Sequence, residues 1–210
     1  MIDDLTELRR VIGIELSEVH TCMPGQIVAW DGQYATVKPA LSKSLASGEA
    51  LAPPNIVRVP VCFPRGMGGK AIISVPLKAG DPVLLYFAER ALENWLSGKD
   101  GEPGDPRQFD LSDAFATPVC RPGAGAALDT ENLVIQLDQA SIVIAPDGSV
   151  TVTAAAGATI TAPGGLAINA DITVNGKIDA SGDVTGAGIS LSTHKHGGVQ
   201  SGGSTTGVPQ

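Results

Sequence analysis

The sequence predicts an all-β protein in two unlike parts, a small N-terminal barrel followed by an intertwined, trimeric β-helix with a pointed apex. Three observations predict it. All eight aromatic residues (Trp30, Tyr34, Phe63, Tyr86, Phe87, Trp95, Phe109 and Phe115) lie between positions 30 and 115. Beyond Phe115 the chain becomes a succession of short Val/Ile/Thr runs separated by turn residues. That succession ends in Ser192-Thr193-His194-Lys195-His196-Gly197-Gly198, ahead of a Gly/Ser/Thr-rich tail.

Composition narrows the function classes. The chain has 210 residues and a formal net charge of −8. Neutralising nucleic-acid phosphates needs clustered Lys and Arg, which this sequence lacks, so nucleic acid is not an expected partner. No apolar run reaches the roughly 20 residues that span a bilayer. The opening Met1-Ile2-Asp3-Asp4 is acidic and carries no apolar core of a secretory signal, so synthesis and folding in a cytoplasm are expected. Cys22, Cys62 and Cys120 are odd in number and widely spaced, which fits no disulfide framework.

Residues 1–24 read as an N-terminal arm. Leu5, Leu8, Ile12, Leu16 and Val19 recur at spacings of three and four, an amphipathic helix pattern over 3–20 that Pro24-Gly25 ends. A helix packed on the body of the protein is the simpler reading, and a partner-binding arm the sharper one. From Gly25 the period becomes two. Gln26-Ile27-Val28-Ala29-Trp30 and Tyr34-Ala35-Thr36-Val37 predict a hairpin with Asp31-Gly32 as a two-residue turn. Residues 41–54 read as a loop, and Ile56-Val57-Arg58-Val59-Pro60-Val61 as a strand. The glycine-rich stretch from Pro64 to Lys70 lacks the Gly-Lys-Ser/Thr ending and helix context of a phosphate loop, so it reads as a connection. Strands are expected at 71–77 and 83–88, then a short polar–apolar segment from 89 to 96 and a Gly/Asp/Pro-rich loop from 97 to 108. Five or so short strands around one small aromatic core suit an OB-fold-like barrel over 25–117.

Residues 118–129 form the linker and 130–192 the shaft. Runs at 133–137, 141–144, 150–153, 159–161, 166–169, 172–174 and 189–192 alternate apolar with polar residues. Pro146-Asp147-Gly148, Pro163-Gly164-Gly165, Asn175-Gly176 and Ser181-Gly182-Asp183 mark the turns between them. Such repetition is the signature of a β-solenoid. Each strand offers a single apolar row, too thin to enclose a core within one chain, whereas three chains can enclose one. A single-chain β-helix would need longer coils, and a disordered stalk would not need so regular a period.

Residues 193–210 form the apex. On a strand, His194 and His196 would share a face and Lys195 would point away. One chain then offers two imidazoles, and three chains around an axis offer six. Zinc in proteins is nearly always four-coordinate, so six nitrogens suit Fe(II), with Ni(II) or Co(II) as alternatives. His20 and Cys22, with no further ligand nearby in sequence, read as structural. No nucleophile elbow or paired-carboxylate pattern is present, so no enzymatic activity is expected and no catalytic or cofactor-binding residue is assigned. Asp129, Glu131, Asp138, Asp147, Asp171, Asp179 and Asp183 fall at turns or outer faces, where they keep a shaft soluble, and a calcium ion on the axis is left open.

Several pieces together resemble a known family. Val75-Pro76-Leu77-Lys78-Ala79-Gly80-Asp81, Glu89-Arg90-Ala91-Leu92-Glu93-Asn94-Trp95-Leu96, Asp110-Leu111-Ser112-Asp113-Ala114 and the His194-Lys195-His196 end keep the order seen in baseplate central spike proteins of contractile-tailed phages and R-type pyocins. The resemblance runs from about residue 25 to the C-terminus. It implies a homotrimer seated on a baseplate hub protein at the tip of a virion or phage-tail-like particle, perforating the outer membrane of the target cell. It also implies one iron ion per trimer held on the axis by His194 and His196, and a tail folded back to close the tip through Thr205, Thr206, Val208 and Pro209. A trimeric receptor-binding fibre or adhesin is the alternative, and a polysaccharide lyase on a β-helix a third. The first would want exposed aromatics near the tip, the second a groove of clustered charges; the shaft has neither.

Overall fold

The computed structural model describes residues 4–45, 47–118, 127–198 and 202–203. The protein is mostly β and divides into two compact units, Met1–Thr130 and Glu131–Gln210.

The first unit opens with helix α1 (Asp4–Ser17). Its sequence pattern is that of a packing helix, yet none of its residues is buried. The packing expectation fails here because the described residues bring no apolar surface over its stripe. Near the C-terminal end of the helix, Lys43 Nζ reaches Glu18 Oε1 at 2.5 Å and donates to Ser17 Oγ at 3.2 Å.

The strands that follow are β1 (Cys22–Trp30), β2 (Tyr34–Pro39), β3 (Lys43–Ser44), β4 (Ala50–Leu51), β5 (Ile56–Pro60), β6 (Arg65–Gly66), β7 (Ala71–Ile72), β8 (Pro82–Phe87) and β9 (Ala114–Thr117). A short helix α2 (Glu93–Leu96) precedes β9. Five strands form one antiparallel sheet in the order β5-β2-β1-β8-β9. Register shifts at Ile27/Ala29 and Ala35/Val37 mark bulges, which strengthen twist and curl the sheet into a half-barrel. Just past β5, Val61 bridges Ala116 in parallel and Cys62 N donates to Ala116 O at 2.8 Å, so the chain after one edge strand lies against the other.

Alternation predicts which side chains fill the curl. Ile27, Ala35, Val37, Ile56, Val59, Val83, Leu85, Phe87, Ala114 and Ala116 are buried together, with Met23, Trp30, Val61 and Leu111 packed around them. Gly25 sits where β1 crosses beneath Val37 and Leu85. A Cβ there would lie 2.7 Å from Val37 Cγ1, so only glycine fits.

Several local expectations are corrected. The β1–β2 connection is a three-residue loop, because Asp31 Oδ1 accepts from both Gln33 N (2.8 Å) and Tyr34 N (2.6 Å) and turns the chain itself. The 41–54 loop contains the β3–β4 hairpin. The strand expected over 71–77 stops at Ile72, and Pro64–Lys70 supplies β6 and a 3₁₀ turn at Met67–Gly69.

The second unit begins with a meander of β10 (Leu133–Leu137), β11 (Ala140–Ile144) and β12 (Val150–Thr153), each antiparallel to the next. The Pro146-Asp147-Gly148 turn closes its second hairpin, with Gly148 at φ 85° and Ser149 N donating to Asp147 Oδ1 at 2.9 Å. The registry sets Ile135 beside Ile142 and Ile142 beside Val152. Leu133, Ile135, Leu137, Ile142, Ile144, Val150 and Val152 therefore share one face, while Val134, Gln136, Ser141, Val143, Thr151 and Thr153 share the other, so the first face is apolar throughout and the second mixed. That apolar face is open: Ile135 is 64 % and Val152 65 % exposed, and no described residue of the second unit is buried.

Between residues 154 and 184 the chain forms no strand, so the expected runs at 159–161, 166–169 and 172–174 are not strands within one chain. Among the described residues, no segment of the same chain is paired with them, and a ladder needs a partner. Strands resume at β13 (Thr185–Gly186) and β14 (Ile189–Ser190).

Candidate metal-binding apex

The β13–β14 hairpin carries the apex motif. Its two-residue loop, Ala187-Gly188, has φ of 50° and 82°, the doubly left-handed turn that matches the twist of paired strands. Leu191 N then donates to Val184 O at 2.9 Å, extending the hairpin's closure by one bond.

Ser190 organises the turn that follows. Its hydroxyl contacts Ser192 Oγ at 3.1 Å and accepts from Thr193 N at 3.1 Å. Across the hairpin, Asp183 Oδ1 accepts from Ser192 N at 3.1 Å. Hydrogen bonds from the Ser190 hydroxyl and from Ser192 hold the Asp183 carboxyl below the usual carboxylate range.

His194 is fixed by the same turn. Its backbone N donates to Ser190 O at 3.2 Å, and its ring Nδ1 lies 3.0 Å from Ser190 O and 3.2 Å from Leu191 O. A carbonyl oxygen can only accept, so Nδ1 is the donor, which makes Nε2 the nitrogen that a neutral ring would offer to a metal. Carbonyl-anchored imidazoles of this kind are how proteins orient histidine ligands to metals. The His196 ring stands 5.0 Å from that of His194, centroid to centroid, at 80°.

The two imidazoles are therefore brought together, but by a turn. Residues 191–196 lie outside any strand, which corrects the expectation that strand alternation aligns the rings. The donor set suits a metal in chemistry. Among the described residues, one chain groups no three His, Cys, Asp or Glu side chains able to hold one. Thr205, Thr206, Val208 and Pro209, expected to close the tip, lie outside the described residues, as does Cys120.

His20 and Cys22 separate into different settings. The His20 ring packs 5.5 Å from Phe87, its backbone N donates to Phe109 O at 3.1 Å, and Cys22 is exposed on β1.

Sequence reasoning missed one polar centre. Asp113 is buried beside β9. Its carboxylate takes two bonds from Arg107, Nε to Oδ2 at 2.6 Å and Nη2 to Oδ1 at 3.0 Å, and a third from Leu92 N at 2.9 Å. Arg107 also meets Glu93 at 2.8 Å and Asp105 at 3.0 Å. Asp113 first, then Asp105, raise the guanidinium's affinity for its proton still further. This fork pins the long 97–108 loop and α2 to the sheet. Arg107→Ala should lower the stability of the first unit by about 2–3 kcal/mol in urea unfolding, less than the roughly 3–5 kcal/mol for breaking a fully buried pair because Arg107 is partly solvated.

Two family models match the chain. The phage protein Gp138 N-terminal domain matches residues 23–119, and the GpV Apex motif matches residues 188–210. The first covers the curled sheet except for Cys22; the second begins in the loop of the β13–β14 hairpin and includes both histidines. The chain is a phage tail spike-type structural protein. Its place is the virion tail, within the baseplate. No curated protein matches the chain. Among the described residues of this spike protein, no helix is long and apolar enough to cross a membrane.

Proposed function

We propose that this spike protein is a homotrimer at the tip of a contractile-tail baseplate that perforates the target cell envelope mechanically. The observation that carries the reading is the open apolar face of β10–β12, in a unit where no described residue is buried. Three such faces turned inward make a closed core. Each fully buried Val, Leu or Ile contributes about 1.5–3 kcal/mol, so assembly rather than the lone chain supplies the stability of this half.

In the trimer, the runs between 154 and 184 gain strand partners from neighbouring chains and become an intertwined β-helix. The first unit, an OB-fold-like barrel on this reading, seats the spike on its hub protein. The shaft carries axial load through ladder hydrogen bonds and an apolar column. No bond in a substrate is made or broken.

At the tip, His194 and His196 of three chains would supply six imidazole nitrogens. Six neutral nitrogens suit an octahedral Fe(II) better than zinc. The ion would tie three chain ends together where stress concentrates. An adhesin would need a ligand-binding tip, and no aromatic follows Phe115.

Native mass measurement combined with metal analysis tests the scheme. The expected result is a trimer holding one iron per three chains. A metal-free monomer would overturn it.

A further inference from the structure

We propose that α1 packs against its own copies as a short parallel three-stranded coiled coil; this rests on the homotrimer proposed above. The helix precedes the segment matched by the Gp138 model, and none of its residues is buried. Leu8 is 55 %, Ile12 47 % and Leu16 65 % exposed.

The apolar stripe is a seam with one apolar flank. At 100° per residue, positions 5, 8, 12 and 16 fall within an arc of about 80°, and Val11 widens the apolar face to about 140°, which two neighbouring helices can cover between them. With Leu5 at position a of a heptad, Leu8 is d and Ile12 is the next a. The flanking positions are what identify the occupant. Asp4 falls at g and Arg9 at e, five residues apart; Val11 falls at the next g and Leu16 at the next e, again five apart. In a parallel coil a g residue meets the e residue five positions on in the neighbouring helix. A second copy thus offers Arg9 to Asp4 and Leu16 to Val11, a charge pair and an apolar pair in one register.

The remaining charges agree with this surface. Glu7 and Arg10, at c and f on the back of the helix, are paired within the chain at 2.6 Å. Asp4 and Arg9 have no ion-pair partner among the described residues. Glu15 occupies the second d position, which weakens the seam and limits it to about two turns. A helix of 14 residues is marginal alone in water, and apolar residues at e and g help only when more than one neighbour covers them. Tethering to an assembled trimer raises the local concentration enough for so short a seam to form.

Amide hydrogen exchange over residues 5–17 of the full chain, with native mass on the same samples, tests the proposal. The expected result is exchange at least tenfold slower than in a peptide of residues 1–20. Arg9→Glu, which sets two carboxylates against each other, should remove that protection. Asp4→Arg combined with Arg9→Glu should restore it, although a cation at the helix N-terminus opposes the macrodipole and would leave a lone helix weaker. Within one helix, residues five apart do not face each other, so recovery requires a neighbour. A trimer whose α1 exchanges as fast as the peptide, or whose double variant fails to recover, overturns the coil and leaves the trimer standing. A wild-type monomer overturns both.

Discussion

Ile142→Asp should abolish the trimer and leave the first unit folded. Ile142 lies at the centre of the open face, beside Ile135 on one strand and Val152 on the other. In a closed assembly three carboxylates would converge on an apolar interior with no cation to meet them. The penalty for an unpaired buried ion is several kcal/mol, and it is incurred three times, more than the flanking Val and Leu side chains offset. Native mass should report monomer. Trp30, packed against the core of the first unit, should keep its native fluorescence because that core is built from one chain. Thr153→Asp is the control: its side chain is on the opposite face beside Ser141, where a charge costs within about 0.5 kcal/mol, and the trimer should persist. If both variants stay trimeric with unchanged melting, the open face is not where the chains meet.

The two halves differ in how much of them the sequence can express. In the first unit, pairing partners belong to the same chain, so alternation and turn residues suffice: Ile27, Val37, Val59, Val83 and Leu85 are buried as their period-two placement predicts. What escapes there depends on contacts between distant segments. Arg107 reads as one more loop cation until the fold sets it against Asp113, and the Asp-x-x-Asp spacing of Asp110 and Asp113 was the sole hint of a structural acid. Asp31 turns the chain with its own carboxylate, so the loop length follows from side-chain geometry that a dipeptide pattern does not carry. In the second unit the apolar rows of β10–β12 are legible, but what covers them is not, because among the described residues no segment of the same chain buries them. In α1 too the stripe is plain in the sequence, while none of its residues is buried. At the apex, the sequence identifies His194 and His196 as a pair, while the Ser190 turn, rather than strand alternation, supplies the reason their rings meet.

Replacing both histidines, His194→Ala with His196→Ala, should reduce bound metal from one ion per three chains to none while the trimer remains. The two effects separate because they have different sources. On the proposed reading, assembly energy would come from the apolar faces of Leu133–Leu137 and Ala140–Ile144, and the metal would tie only the chain ends. What the variant should lose is local order. Lys195 sits between the two ligands, so a coordinated tip holds its peptide bond away from the extended form a protease must bind. Tryptic cleavage after Lys195 should therefore be slow in the metal-loaded trimer and at least tenfold faster in the double variant or after chelation. Retained metal would place the ligands elsewhere. Collapse to monomer would make the ion, not the apolar column, the main bond between chains, and a spike held together mostly at its tip would splay under the load it is proposed to carry.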